Sequence, residues 1–274
     1  MSKLLKIGIV GCGAIGTSLA KIIVRDFSKE AKLAALYDKI GACAEKLAGH
    51  VLKNRSLAAL TLEDLLGRSE LVIEAADASS SWDIARQALS RGRDIMIMSV
   101  GGVVSRLPGL NRLAKRYGAK VYIPSGAISG IDALKAAALG KIKKVTLTTR
   151  KNPLAFKRVK YLQQKKINLA KIKKEKVLFS GSASQAVRFF PQNINVAAVL
   201  SLAGIGQDKT KVTIIASPKV HKNIHEIKIE SAAGIIFTRT ENILHPDNPK
   251  TSYLAVLSAA ATLKQILQPA RIGT

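Results

Sequence analysis

The chain has 274 residues, 47% of them hydrophobic and 23% charged, which is enough to bury one large core or two smaller ones and excludes a mainly disordered protein. Its two cysteines, Cys12 and Cys43, exclude a disulfide framework and a cysteine-rich metal site, so no metal is expected. A formal charge of +26 attracts anions, from phosphorylated cofactors and dicarboxylic acids to nucleic acid, without choosing among them. The opening MSKLLKIGIV has no signal-peptide pattern and no apolar run reaches the roughly 18 residues of a membrane span. A cytoplasmic protein with no membrane partner is therefore expected.

The first element is the apolar run of KIGIVGCGAIG, which ends in Gly11, Gly13 and Gly16 at G-x-G-x-x-G spacing before the helix-like AIGTSLAKIIVRDF. Gly11 permits the tight strand-to-helix turn, Gly13 lets a pyrophosphate approach the backbone, and Gly16 lets the helix pack closely on the strand. Ala14 and Ile15 belong to the same loop, where the helix N-terminus offers unpaired N–H groups to phosphate. A second strand-like run, LAALYD, ends in Asp38 about 20 residues later, where an acid binds the adenosine ribose. Together these predict a site for NAD or NADP. The carboxylate of Asp38 favours NAD, while the adjacent Lys39 leaves NADP open. Cys12 inside the loop reads as a small tolerated side chain rather than a redox group.

Helix-like GACAEKLAGHVLK and LEDLLGRSE lead to the strand LVIEAAD, SSSWDIARQALSRGRD leads to DIMIMSVGGVV, and LPGLNRLAKRYGAK leads to VYIPSG. Strands alternating with helices at this interval predict an α/β fold: an N-terminal Rossmann domain with a doubly wound parallel sheet over residues 1–123. Ala75, Ala76, Asp77, Ser99 and Gly101, at carboxyl ends of strands, should line its ligand crevice.

From Pro124 the texture changes. A Gly-rich turn and helix are followed by VTLTTRKN, KVTIIAS, HEIKIES and GIIFTRTEN, whose alternation predicts a second α+β domain over 124–248 with a mixed or antiparallel sheet. One face of that sheet is left for a partner, which makes a homodimer the expected assembly. NPKTSYLAVLSAAATLKQIL is expected to form a helix over about 249–267 that packs back on the first domain. Basic residues are densest from 141 to 176, with Glu175 the one acid there. Aromatics make up 4% of the chain, too few for a stacking platform, so this stretch reads as a solvated face and nucleic acid is not the expected partner.

Dehydrogenation also requires a proton acceptor. Of four histidines, His50 falls in a surface helix, whereas Asn223 and His225 stand two apart at a strand start and project from one face. Asn193 and Asn195 stand at a helix entrance, where they either cap it or donate to a nicotinamide carboxamide.

Behind GCGAIG, the segments PSGAISGIDAL, FPQNINVAA, NIHEI and NPKTSYLAVLS occur in an order that resembles the L-aspartate dehydrogenase family along essentially the whole chain. The resemblance implies NAD(P)-dependent oxidation of L-aspartate to iminoaspartate, which releases ammonia on hydrolysis or feeds quinolinate and NAD synthesis. It implies that His225 is the catalytic histidine and that Ala127 and an asparagine of the QNIN pair, Asn195 rather than Asn193, contact the cofactor, beside Ala76 at the strand end. Where the family commonly has Asp-Pro, this chain has Ser217-Pro218, which removes a carboxylate from that place. Aspartate is expected to dock between the domains, with Asn223 orienting substrate or water and Lys250, Thr251 and Ser252 as candidates for its carboxylates. The alternatives are another two-domain reductase of the dihydrodipicolinate type and a non-catalytic NAD-binding protein. Sugar oxidoreductases of the glucose–fructose type carry Glu-Lys-Pro where this chain reads SVGG.

Overall fold

The computed structural model describes residues 3–190, 195–246 and 248–273. The chain divides into two compact units, Met1–Pro124 with Val256–Ile272, and Ser125–Ala255 with Gly273–Thr274.

The first unit is built on β1 (Leu5–Val10), β2 (Ala31–Tyr37), β3 (Leu71–Glu74), β4 (Asp94–Ile97) and β5 (Val121–Tyr122). All pair in parallel, in the order β2-β1-β3-β4-β5. The connecting helices are α1 (Ala14–Asp26), α2 (Gly41–Leu52), α3 (Leu62–Arg68), α4 (Ser81–Ser90) and α5 (Leu107–Tyr117). Every residue of β3 is buried, as the middle of a sheet covered on both faces requires. Ile7, Ile9, Leu36, Leu71 and Ile73 of the strands share one core with Leu19 and Ile23 of α1 and with Val256, Ala259 and Leu263 of the last helix.

The second unit carries β6 (Ile142–Lys151), β7 (Lys176–Ser182), β8 (Lys211–Ala216), β9 (Asn223–Ser231) and β10 (Gly234–Asn242) in the order β10-β9-β6-β8-β7. β6 and β8 run parallel and the other neighbours antiparallel, so the sheet is mixed. Around it lie α6 (Ile131–Ala137), α7 (Lys160–Gln164), α8 (Ala183–Phe189) and α9 (Asn195–Ala203). A ribbon of β11 (Leu244–His245) and β12 (Asn248–Ser252) precedes α10 (Tyr253–Leu267).

Two departures from the sequence reading are physical. The segment read as the opening turn of a helix from about 249 is strand β12, with Leu244 opposite Ser252, and α10 starts only at Tyr253. Pro249 biases the residue before it toward extended backbone, so the apolar helical pattern starts later than its polar lead-in suggests. The second unit accordingly runs to Ala255 rather than stopping at 248. Just after the basic stretch, β7 has no period-2 signature because its pairing with β8 slips between Val177 and Phe179. The helix after it, α8, starts with a capping box in which Ser182 and Gln185 satisfy each other's backbone N–H. Among the described residues no helix is long and apolar enough to cross a membrane.

The mixed sheet has two unlike faces. Val145 and Leu147 of β6, Ile227 and Ile229 of β9, and Val212 and Ile214 of β8 point into the core. On the opposite face Glu226 takes ion pairs from Arg150 and Arg239, and Arg239 also bonds Glu241.

Candidate functional site

In the first unit the chemistry is carried by backbone. The Gly11 N–H donates to the Tyr37 carbonyl at 2.8 Å, which draws the loop over the end of β2. Gly11 has φ +98°, and a Cβ there would meet the Ala75 carbonyl oxygen at 2.5 Å, so no other residue fits without strain. A Cβ on Gly16 would lie 1.9 Å from the Gly11 carbonyl oxygen, which is the close helix-to-strand approach that the spacing predicts. Gly13 is different: nothing lies within 4 Å of a Cβ placed there, so the loop is open on the side where a phosphate approaches. The Thr17 N–H donates to the Gly13 carbonyl at 2.8 Å, and the amides of Ala14, Ile15 and Gly16 stand ahead of that first helical bond.

Asp38 has a structural task beside its place at the end of β2. One carboxylate oxygen accepts the Cys12 N–H at 2.7 Å and the other accepts the Ile40 N–H at 2.9 Å, so the acid pins the glycine loop. Lys39 lies beside it and pairs with Asp77 at 3.0 Å, both side chains being substantially exposed. Hydrogen bonds from Ser79, then Lys39, hold the Asp77 carboxyl well below the usual carboxylate range. Burial, with help from Asp38 and Cys43, pushes the Cys12 thiol up to about 12, which keeps it protonated and unreactive.

Gly11, Gly13, Asp38, Ala75, Ala76 and Asp77 line a crevice of about 540 Å³. Its wall is fixed by Glu74, fully buried at the end of β3, whose carboxylate accepts the Ala76 N–H at 2.9 Å and the Ser99 N–H at 3.0 Å. Burial raises this carboxyl to about 7 against the pull of those N–H donors. Glycine loop, helix N-terminus, terminal acid and open crevice together fit a dinucleotide. Glu74 is not singled out by the sequence, because an acid closing a four-residue apolar strand has no spacing signature.

In the second unit the chemistry is carried by side chains on the core face of the mixed sheet. That face is apolar along most of its length and turns polar at one end. His225 of β9 pairs in register with Thr149 of β6 and Thr240 of β10. Directly opposed residues share a face, and so do residues two apart in one strand. This places Thr149 and Lys151 of β6, Asn223 and His225 of β9, and Thr240 and Asn242 of β10 on one side. His225 is 2% exposed and its Nδ1 lies 3.0 Å from Thr149 Oγ1. Lys151 is 6% exposed, and its carbonyl accepts the Ser217 N–H at 2.9 Å. Burial, then the nearby Lys151, lowers the imidazole to about 3, and burial lowers the ammonium to about 8. The imidazole is therefore neutral, with a ring nitrogen free of charge to accept a proton, while the cation beside it lowers its basicity.

The surrounding polar groups hold this end in place. Asn223 Nδ2 donates to Ser252 Oγ at 3.1 Å, and Asn242 Nδ2 donates to the Ala127 carbonyl at 3.0 Å. Thr240 Oγ1 also donates to the Ala127 carbonyl, at 3.2 Å, so the PSGA turn is fastened to the strand beside His225. The predicted residues Ala127, Asn223, His225 and Ser252 therefore gather in one hydrogen-bonded cluster. Thr251 and the backbone of Lys250 belong to β12, and Asn195 opens α9 on an exposed surface. Asn193 and the Lys250 side chain lie outside the described residues. His245 is buried in edge contact with Tyr253, a packing role. Thr149, Lys151, Thr240 and Asn242 are not singled out by the sequence. Lys151 is the instructive case: read within a solvated basic stretch, it falls on the inward beat of VTLTTRKN, and that alternation is the signal that finds it.

Residues 132–266 match the family model described as the C-terminal domain of aspartate dehydrogenase, and residues 11–124 match that of the NAD-binding domain of homoserine dehydrogenase. The chain is 46% identical to an L-aspartate dehydrogenase of Methanococcoides burtonii over 99% of its own length and 100% of the relative's. It is likewise 46% identical to one from Methanosarcina barkeri, with the same coverage. Among solved structures, the aspartate dehydrogenase of Thermotoga maritima superposes with a TM-score of 0.75 at 26% identity, covering 99% of this chain and 100% of the other.

Proposed function

The chain belongs to the L-aspartate dehydrogenase family, and from that premise we propose how its residues divide the family's reaction between the two units. It is an oxidoreductase that converts L-aspartate to iminoaspartate with NAD(P). Gly11, Gly13, Ala14, Ile15, Gly16, Asp38 and Ala76 hold the dinucleotide, which when bound takes up the hydride from the substrate Cα.

The second unit handles the amine. Loss of a hydride from Cα and a proton from nitrogen leaves the C=N bond of iminoaspartate, so one group must receive that proton. We assign this to His225 Nε2, with Nδ1–H donating to Thr149 Oγ1 and fixing the tautomer that leaves Nε2 basic. Asn223, held by Ser252, orients the substrate beside it. Ala127 and Asn195 serve the nicotinamide end of the cofactor, an assignment carried by the family resemblance. The observation that carries this reading is the buried imidazole at 3.0 Å from Thr149, inside the region matched by the aspartate dehydrogenase model.

Asp38 makes NAD the preferred cofactor, since a carboxylate at the ribose repels a 2′-phosphate. The open sheet face, with Ile235 and Phe237 of β10 exposed, supports a homodimer, which sedimentation tests directly. A cytoplasmic location and supply of iminoaspartate to quinolinate synthesis complete the reading. The deciding experiment offers the purified protein NAD and a panel of L-amino acids and follows NADH absorbance. Aspartate-selective reduction supports the assignment. No turnover with aspartate, or equal turnover across the panel, contradicts it.

A further inference from the structure

We propose that Lys151 is the specificity-determining residue of this site: its ammonium receives the side-chain carboxylate of the substrate and makes the enzyme select a dicarboxylic amino acid. This rests on the reading of His225 as the group that meets the amine and extends it to the other end of the substrate.

The argument is one of placement. Lys151 ends β6 two residues beyond Thr149, the residue hydrogen-bonded to His225, and so projects from the same face of the sheet. Successive same-face positions on a strand stand roughly 7 Å apart. A cation one such step beyond the residue that faces the imidazole suits a carboxylate carried on the next carbon from the one that bears the amine. Lys176, in register with Ala216 and through it with Lys151, shares this face but is exposed, and three other cations of the sheet are taken up by carboxylates. Arg150 and Arg239 are bound to Glu226 on the opposite face, and Lys228 is bound to Glu230. Lys151 is buried where those are half-buried or exposed.

The placement also couples binding to chemistry. Burial holds the Lys151 ammonium at about 8, and together with Lys151 it holds the imidazole at about 3. A carboxylate arriving at Lys151 favours the charged ammonium and cancels its repulsion of a protonated imidazole. A dicarboxylic substrate thereby makes His225 a better proton acceptor, and a neutral amino acid does not.

The test compares Lys151→Met and Lys151→Arg with the parent on L-aspartate and L-asparagine, the latter carrying an amide in place of the carboxylate. Lys151→Met should lower kcat/KM for aspartate about 10²-fold, chiefly through KM, and leave asparagine within severalfold, so the preference collapses. Lys151→Arg should recover much of the preference. Binding of succinate, a dicarboxylate that cannot be oxidised, followed by calorimetry, should weaken at least tenfold in Lys151→Met while NAD affinity is unchanged. Equal losses on both substrates, or an unaltered preference, would overturn the proposal. His225→Asn in parallel keeps the two readings apart: it should lower kcat on both substrates, more on aspartate, and leave succinate binding unchanged. Retained turnover in that variant would sink the His225 assignment and not the Lys151 one.

Discussion

The two units build their sites from opposite materials. In the first, the loop is glycine and amide: Gly11, Gly13 and Gly16 act by what they lack, and Asp38 spends both carboxylate oxygens on loop N–H groups. In the second, the site is a run of side chains at the polar end of a core face, where Thr149, Lys151, Asn223, His225 and Asn242 stand in the same inward rows as Val145, Leu147, Ile227 and Ile229. A backbone site is fixed by sterics and tolerates any neighbour that keeps the turn. A side-chain site is fixed by sheet register, and a one-residue slip would send every group to the ion-paired face.

That contrast can be broken at several points. The largest effect is expected from Gly16→Val, whose Cβ would fall 1.9 Å from a carbonyl oxygen that cannot move without opening the loop. Dinucleotide binding should be lost and the melting temperature should drop, as read by fluorescence titration and calorimetry. Asp38→Ser should come next, shifting the ratio of NAD to NADP affinity about tenfold toward NADP, because it removes the charge that repels a 2′-phosphate. Gly13→Ala is smaller. With no protein atom within 4 Å of the new Cβ, stability should change by no more than about 0.5 kcal/mol, while dinucleotide affinity falls severalfold as the methyl enters the phosphate side.

The smallest net effect in the parent concerns pH, where the two units oppose each other. His225 is lowered from 6.5 to about 3, so the unfolded chain takes up its proton first and stability is lost as pH falls through that window. Glu74 is raised from 4.5 to about 7, so the folded chain holds a proton the unfolded one has released, and stability falls as pH rises through that window. Between pH 4.5 and 6.5 the two act in opposite directions, each by at most about 1.4 kcal/mol per pH unit. Calorimetry on Glu74→Gln should show a melting temperature that rises with pH across this range, and on His225→Asn one that falls. Parallel slopes in the two variants would contradict the burial of one of these groups.

Much of the first unit was legible because its chemistry is written in local spacing: three glycines and a terminal acid at a set distance need no knowledge of what packs where. Asn223 and His225 were legible for a similar reason, being two apart at a strand start. Lys151 was not, because a lysine in KIKKVTLTTRKNP is masked by the exposed lysines around it, and its inward direction depends on the partner strands. Glu74 was hidden by its position at the end of a buried strand, where the donors it serves come from loops 2 and 25 residues away. The start of α10 was misplaced because pairing of β12 with β11 overrides the helical pattern of the residues that follow.

The measurement that bears most directly on the account is the steady-state rate of NADH formation from L-aspartate in His225→Asn, taken together with NAD affinity by fluorescence titration. The account predicts kcat lowered about 10²-fold or more with NAD affinity unchanged, since the imidazole belongs to the second unit's chemistry and not to the glycine crevice. Turnover within severalfold of the parent, at unchanged NAD affinity, would contradict it.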